Sequence, residues 1–209
     1  MNEQHELKLD KKQNKIEAIA EHMNAVLRYL GVESTPSTEE TGLRIAKMYV
    51  NEVFKNINDE NLEELNAKIK LFPNEQQGMS ELIIFKKIHF HSMCEHHFMP
   101  FEGDMYIAYL PKEKIVGLSK VPRVVEYFSK RPQLQERLVN DVANYLYEKL
   151  DPALLFVLAT DVVHTCVTAR GVETYCEVET MATRVDYDII DSDELFTILK
   201  NQFYARISK

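Results

Sequence analysis

Leu154-Leu155-Phe156-Val157-Leu158-Ala159-Thr160-Asp161-Val162-Val163-His164-Thr165-Cys166 is the stretch on which the reading of the fold turns. Leu154–Val163 is apolar and rich in β-formers, and it predicts a strand. Strand alternation would then put His164 and Cys166 on one face, so the same run ends in two potential metal ligands. Two similar runs lie upstream, Leu82–Phe90 and Met105–Leu110, and a less regular one covers Val172–Val185 downstream. Two helical patterns fit between the second and third runs. One starts near Ser119 with Val121, Val124, Val125 and Phe128, and the other follows Pro132 with Leu134, Leu138, Val142, Leu146 and Leu150. A last helix is expected from Asp191-Ser192-Asp193-Glu194 onward. Strands paired as hairpins with helices between them predict an α+β fold: an antiparallel four-stranded sheet with helices on one face, two of them between strands 2 and 3.

Farther out, apolar residues from Ile16 to Leu30 recur at helical spacing, and Gly31 follows as a stop. Ser37-Thr38-Glu39-Glu40 reads as a capping box that opens a second helix carrying Leu43, Ala46, Val50 and Val53. The expected organisation is a mobile tail over 1–11, a helical arm and linker over 12–80 punctuated by Pro73 and Gly78, and a body over 81–209.

The chain has 209 residues, enough to bury a core without disulfides. No run approaches ~18 uninterrupted apolar residues, and the polar start, Met1-Asn2-Glu3-Gln4-His5-Glu6, has no apolar signal region. A cytoplasmic location is the resulting expectation. A net charge of −8 argues against sequence-independent nucleic-acid binding but leaves room for an anion in a local basic pocket. Three cysteines, Cys94, Cys166 and Cys176, are too few for a disulfide scaffold.

Cys94-Glu95-His96-His97 is the densest chemistry in the chain. A turn can aim Cys94 and His97 at one ion, and no second pair completes a zinc finger. Cys166 supplies a third donor, which leaves one position open, as in a catalytic zinc site. His96 and His164 then stand beside the metal as proton carriers. The alternative is buried core cysteines with incidental histidines. In Gly117-Leu118-Ser119-Lys120-Val121-Pro122-Arg123, a helix N-terminus meets two cations, which suits phosphate. Read otherwise, Lys120 and Arg123 are an exposed basic pair. Gln135-Glu136 opens the next helix with a carboxylate able to accept two parallel N–H donors, or with an ordinary solvated acid. Arg170 and Arg44, taken singly, are surface arginines.

Together these blocks resemble the GTP cyclohydrolase I family of the tunnelling-fold superfamily. The resemblance rests on Cys94–Phe98, Gly117–Lys120, Arg131–Leu138, Val163–Gly171 and the arm segment Arg44–Glu52, and it runs from about residue 15 to 172. It implies zinc held by Cys94, His97 and Cys166, with His96, His164 and Ser119 serving the chemistry. It also implies guanine held at Gln135 and Glu136, and triphosphate surrounded by Ser119, Lys120, Arg123 and Arg170. Arg44 would reach a neighbouring subunit's site in a toroidal homodecamer with active sites at subunit interfaces. The implied reaction converts GTP and water to formate and 7,8-dihydroneopterin triphosphate.

The chain departs from the family pattern at Thr41-Gly42, where Thr-Pro is usual, at Pro122 inside the phosphate helix, and at Glu173–Glu179 in place of a Ser/Thr-rich strand. A hairpin turning near Gly171 would place Cys176 opposite Cys166, where a fourth thiolate would make the zinc structural. Three other readings compete. One is a related enzyme that stops at an earlier ring-opened formamide. Another is the nitrile reductase of the same superfamily, against which the Cys94/His97 pair argues. The third is a silent, zinc-stabilised oligomeric scaffold.

Overall fold

A computed structural model describes residues 3–59, 61–75 and 81–208, with side chains from Leu9 on; Gly78 lies outside the described residues. The chain divides into two compact units, Met1–Ile57 and Asn58–Lys209. No described helix is long and apolar enough to cross a membrane.

In the first unit, α1 spans Glu3–Tyr29 and α2 spans Thr41–Met48, continuing as a π turn over Tyr49–Val53. The segment expected as a mobile tail is thus helical from Glu3. Gly31, at φ +77°, ends α1 in the left-handed conformation that glycine adopts without penalty. Ile16, Ala20 and Ala46 are buried between the helices, flanked by Ile19, Leu43 and Val50. Thr41-Gly42 finds its reason here. A Cβ on Gly42 would lie 2.1 Å from Asn24 Oδ1 and 2.9 Å from the Ala20 carbonyl, so the helices cross where only glycine fits. The expected capping box does not form, because the helix begins at Thr41, after Glu40. Thr38 Oγ1 instead donates to the Glu33 carbonyl at 2.6 Å and accepts from Thr35 N–H at 2.8 Å. These local bonds compete with helix and hold a loop.

The second unit runs α3 (Leu62–Lys68), β1 (Leu71–Pro73), β2 (Ile83–Cys94), β3 (Pro100–Leu110), β4 (Lys114–Val116), α4 (Lys120–Ser129), β5 (Pro132–Gln133), α5 (Gln135–Leu150), β6 (Leu154–His164), α6 (Thr165–Thr168), β7 (Glu177–Val185) and α7 (Asp193–Ile207). Residues 62–73, read as linker, belong to this unit. Leu65 is buried in its core, and β1 pairs antiparallel with β4.

The main sheet has five strands in the order β5-β2-β3-β6-β7. Four are antiparallel, as expected. The two-residue β5 adds a parallel edge to β2 through Met93↔Pro132 and Cys94↔Gln133, so the sheet is mixed. The expected fourth strand starts late, at Glu177.

Helices also cover both faces, not one. β6 is buried on each side. Leu155, Val157 and Ala159 pack with α4 and α5, while Leu154, Phe156 and Leu158 pack with Leu199 and Phe203 of α7. Burial on both faces is why Leu154–Ala159 is continuously apolar rather than alternating. Ser192 caps α7 by accepting from Leu195 N–H at 3.2 Å. Phe156 is fully buried, 5.2 Å from the Phe203 ring and stacked on it. Phe156→Ala should therefore cost about 3–5 kcal/mol, measured by denaturant unfolding. A loss of only about 0.5 kcal/mol, as at a surface site, would refute this packing of α7.

β3 carries a register shift between Glu102 and Asp104. At its centre, a Cβ on Gly103 would lie 2.8 Å from the Thr160 carbonyl and 2.7 Å from Val162 Cγ2. Glycine lets β6 come this close beside the strand ends that bear the site.

Candidate active site

Cys94 is the last residue of β2, so the sheet itself sets its backbone. Its N–H donates to the Met99 carbonyl and its carbonyl accepts from Phe98 N–H, both at 2.9 Å. These bonds close a tight turn over Glu95–Met99, with Phe98 at φ +51°. The turn returns His97 towards Cys94. β6 ends at His164, and the chain then makes the single helical turn α6, which carries Cys166. The strand alternation expected to pair His164 with Cys166 therefore stops one residue short. The helical turn delivers the cysteine instead. One donor atom from each of Cys94, His97 and Cys166 lies within 4.8 Å of the others.

Two sulfurs and one imidazole are a donor set that zinc takes readily, and three protein donors leave a fourth position for water or substrate. Cys176 does not close the set. It is exposed, ahead of β7, and is not among the three grouped donors. Burial pushes the Cys166 thiol up, Cys94 beside it adds to the effect, and Arg170 opposes it. An ion binding here must displace protons, as metal capture by thiols generally does.

A polar network that sequence reasoning missed holds the turn in place. Glu95 N–H donates to the Gln133 carbonyl at 3.1 Å, and the Glu95 carboxylate pairs with Arg137. Gln133 is fully buried; its Oε1 accepts from Arg137 Nε at 2.9 Å, and its Nε2 donates to Asp141 at 3.0 Å and to the Phe128 carbonyl at 3.1 Å. The signal available in sequence was faint: a glutamine beside a proline at a helix start, with an arginine four residues on.

His164 is half-buried. Its ring stacks on Phe101 at 4.6 Å and 9°. Its Nε2 lies 2.8 Å from Gln135 Oε1. Gln135 is itself buried, and its amide Nε2 donates to the Val178 carbonyl at 3.0 Å and to Thr180 Oγ1 at 3.1 Å. Those two bonds orient the amide with its oxygen towards His164. An oxygen can only accept, so His164 carries its proton on Nε2, a tautomer assigned from the hydrogen-bond network. Nδ1 is left as an acceptor in the neutral ring. Burial holds the His164 pKa below its ordinary value, and the Glu136 charge opposes that shift.

The other candidates are distributed as follows. Glu136 is exposed in the first turn of α5. His96 is exposed, with Nδ1 3.8 Å from Cys94 Sγ. Arg170 Nη1 donates to His97 Nε2 at 2.8 Å, which puts the guanidinium against the donor triad. Ser119 stands at the N-cap position of α4, but its side chain makes no capping bond. Lys120 and Arg123 lie in the first turn after it, with Pro122 tolerated between them. Arg44 lies on α2 in the first unit, paired with Glu40 at 3.2 Å and donating to the Ser37 carbonyl at 3.1 Å.

A family model described as GTP cyclohydrolase I matches residues 19–197. A protein named GTP cyclohydrolase 1 from Erwinia tasmaniensis is 41% identical over 155 residues, 74% of this chain and 67% of that protein. One from Clostridium perfringens is 41% identical over 157 residues, 75% of this chain and 80% of that protein. One from Vibrio cholerae is 40% identical over 159 residues, covering 76% and 70%. A solved structure of the archaeosine synthase QueF-Like in the apo form is 18% identical, with a TM-score of 0.40 over 52% of this chain and 98% of that one. Likeness at that level supports no inference. The family match takes in every residue of the donor triad and its surroundings, and with relatives at this identity the chain belongs to the GTP cyclohydrolase I family.

Proposed function

We infer that this chain is a zinc-dependent GTP cyclohydrolase I, converting GTP and water to formate and 7,8-dihydroneopterin triphosphate. The observation that carries this is the open triad of Cys94, His97 and Cys166 beside a histidine whose tautomer is fixed. Zinc bound there supplies a water of lowered pKa near neutrality.

The chain's own residues do the rest. Glu136 is the carboxylate for the paired N–H donors of guanine, N1 and the exocyclic amine. The Gln135 side chain is committed to His164, Val178 and Thr180, so its role is to position the histidine rather than to touch the base. Guanine C8 is a poor electrophile until N7 is protonated or strongly hydrogen-bonded. With Nε2–H engaged by Gln135, His164 donates from Nδ1 to N7 only as the imidazolium. As the neutral ring, it accepts a proton at the same atom. The two states give it an acid role and a base role in successive steps. His96, beside Cys94, and Ser119, at the α4 N-terminus, are the proton handlers for the later ribose rearrangement.

Lys120 and Arg123, in the first turn of α4, bind the triphosphate. Arg170 joins them. The His97 Nε2 lone pair cannot serve Arg170 and an ion at once, so with that nitrogen taken up in the metal site the Arg170 guanidinium would turn to phosphate. These remote contacts fix the base for reaction. Arg44 completes the site from a neighbouring copy in a toroidal homodecamer of tunnelling-fold bodies located in the cytoplasm.

Glu136→Gln should lower kcat/KM for GTP by about 10- to 100-fold, mainly through KM, because it removes a charge-assisted pair worth about 1.5–3 kcal/mol. An unchanged KM would remove Glu136 from the base site. The overall reading is tested by following formate and pterin products from GTP, by mass spectrometry, with and without a zinc chelator. A ring-opened formamide with neither formate nor any neopterin product would favour an enzyme that stops at the formamide. Full turnover after verified zinc removal would refute the zinc mechanism.

A further inference from the structure

A second cluster of ligating side chains lies outside this site, on the solvent face of the β2–β3 hairpin. His89 and His91 alternate along β2 and so share a face, opposite to buried Phe90. Across the ladder, His89 pairs with Asp104 and His91 with Glu102. His89 Nδ1 lies 3.0 Å from Asp104 Oδ1, and His91 Nδ1 lies 2.8 Å from Glu102 Oε2. The two imidazoles meet edge to face at 4.6 Å. Donor atoms of His89, His91 and Glu102 lie within 4.8 Å of one another, the same closeness as in the thiolate triad. Burial pushes the nearby Tyr106 phenol up, and the charges of Asp104 and Asp161 add to it.

We propose that His89, His91 and Glu102, with Asp104 beside them, form a second divalent-cation site of the zinc class that ties β2 to β3. Two imidazoles and a carboxylate suit borderline first-row ions such as zinc, and the cross-strand register sets the ligands before the ion arrives. Asp104, holding His89 Nδ1, leaves Nε2 of that ring as the metal-facing atom and raises its basicity, whereas at His91 an ion would take the place of the proton between Nδ1 and Glu102. The consequence is mechanical. His91 stands three residues before Cys94 on the same strand, and Glu102 lies near the start of β3, the strand that leaves the Glu95–Met99 turn. An ion here clamps the base of the hairpin whose tip carries His97.

The test is metal stoichiometry of the assembled full-length protein after chelator treatment, titrated with zinc and, in parallel, with cobalt(II). Wild type is expected to take two equivalents per chain, and only one should show thiolate-to-cobalt charge transfer. His89→Ala/His91→Ala should keep the thiolate-bound ion and lose the other. Loss of even an outer partner costs about 10- to 100-fold in affinity, so loss of both imidazoles removes the equivalent. Cys94→Ser should show the reverse, retaining one ion without charge transfer. Glu102→Gln/Asp104→Asn is the second variant should the histidine pair not fold, and it should weaken the second equivalent by about tenfold or more. A single equivalent in wild type, or two in the histidine double variant, overturns the proposal without touching the cyclohydrolase reading.

Discussion

Replacing Cys94 by serine is expected to leave a folded protein that makes no measurable formate from GTP. Cys94 is 5% exposed at the end of β2, and its backbone is held by the sheet and by the Phe98 and Met99 hydrogen bonds. Serine fits that space. What it lacks is a thiolate, and a neutral hydroxyl is a poor zinc ligand beside Cys166 and His97. Metal assistance is worth several kcal/mol of transition-state stabilisation. At 1.36 kcal/mol per tenfold, kcat/KM should fall by roughly 10³-fold or more, with zinc lost from the thiolate site. The measurement joins zinc content, oligomer size and formate release on one preparation. A folded variant with full activity would sink the catalytic role of the triad. A variant that fails to assemble would mean that the ion builds the fold, as the scaffold reading requires. Cys176→Ser, at an exposed position away from the triad, should change none of these quantities.

His164→Ala should retain zinc and lose about 10²- to 10⁴-fold in kcat, the usual worth of a positioned acid–base group. Gln135→Leu is the more telling companion. It removes the acceptor for Nε2–H and the oriented amide, so the imidazole loses its fixed tautomer while every metal ligand stays. Activity should fall and the pH profile should move, a change that loss of packing alone would not produce. Stability follows pH with a definite sign. The folded pKa of His164 is lowered from 6.5, chiefly by burial, with Glu136 opposing. On acidification the unfolded chain takes up this proton first. The contribution is therefore complete above about 6.5 and is lost as pH falls from there through the folded value. In unfolding measurements across pH, His164→Ala should lack this component. An identical pH slope in wild type and variant would show that the group does not titrate differently on folding.

The central elements were legible because their cause is local. Leu154–Val163 reads as a strand from β-formers in a run. Val121, Val124, Val125 and Phe128 read as a helix from their spacing, and Ser192 with the acids after it marks the start of α7. Most of what went astray had a non-local cause. β5 is two residues that pair only because β2 lies beside them, and α7 crosses to the far face because Phe156 and Leu158 offer it an apolar surface there. The capping box over Ser37–Glu40 was a plausible local signal that lost to other local bonds of Thr38. Only the register of β3 brings carboxylates opposite His89 and His91.

By itself, the sequence determined which residue types are available and which short segments are strand or helix. Ligand chemistry and periodicity are properties of neighbours along the chain. It also placed Cys94 and His97 within one turn, since three residues can close on an ion without help. Only the tertiary structure decided that Cys166 joins them through a helical turn rather than a strand, that Cys176 does not, and that the Gln135 amide bonds to His164. Each of those outcomes depends on which hydrogen bonds remain for a buried group once the sheet has closed. A buried amide must find its partners inside the fold, and where they lie is set by the packing of the whole.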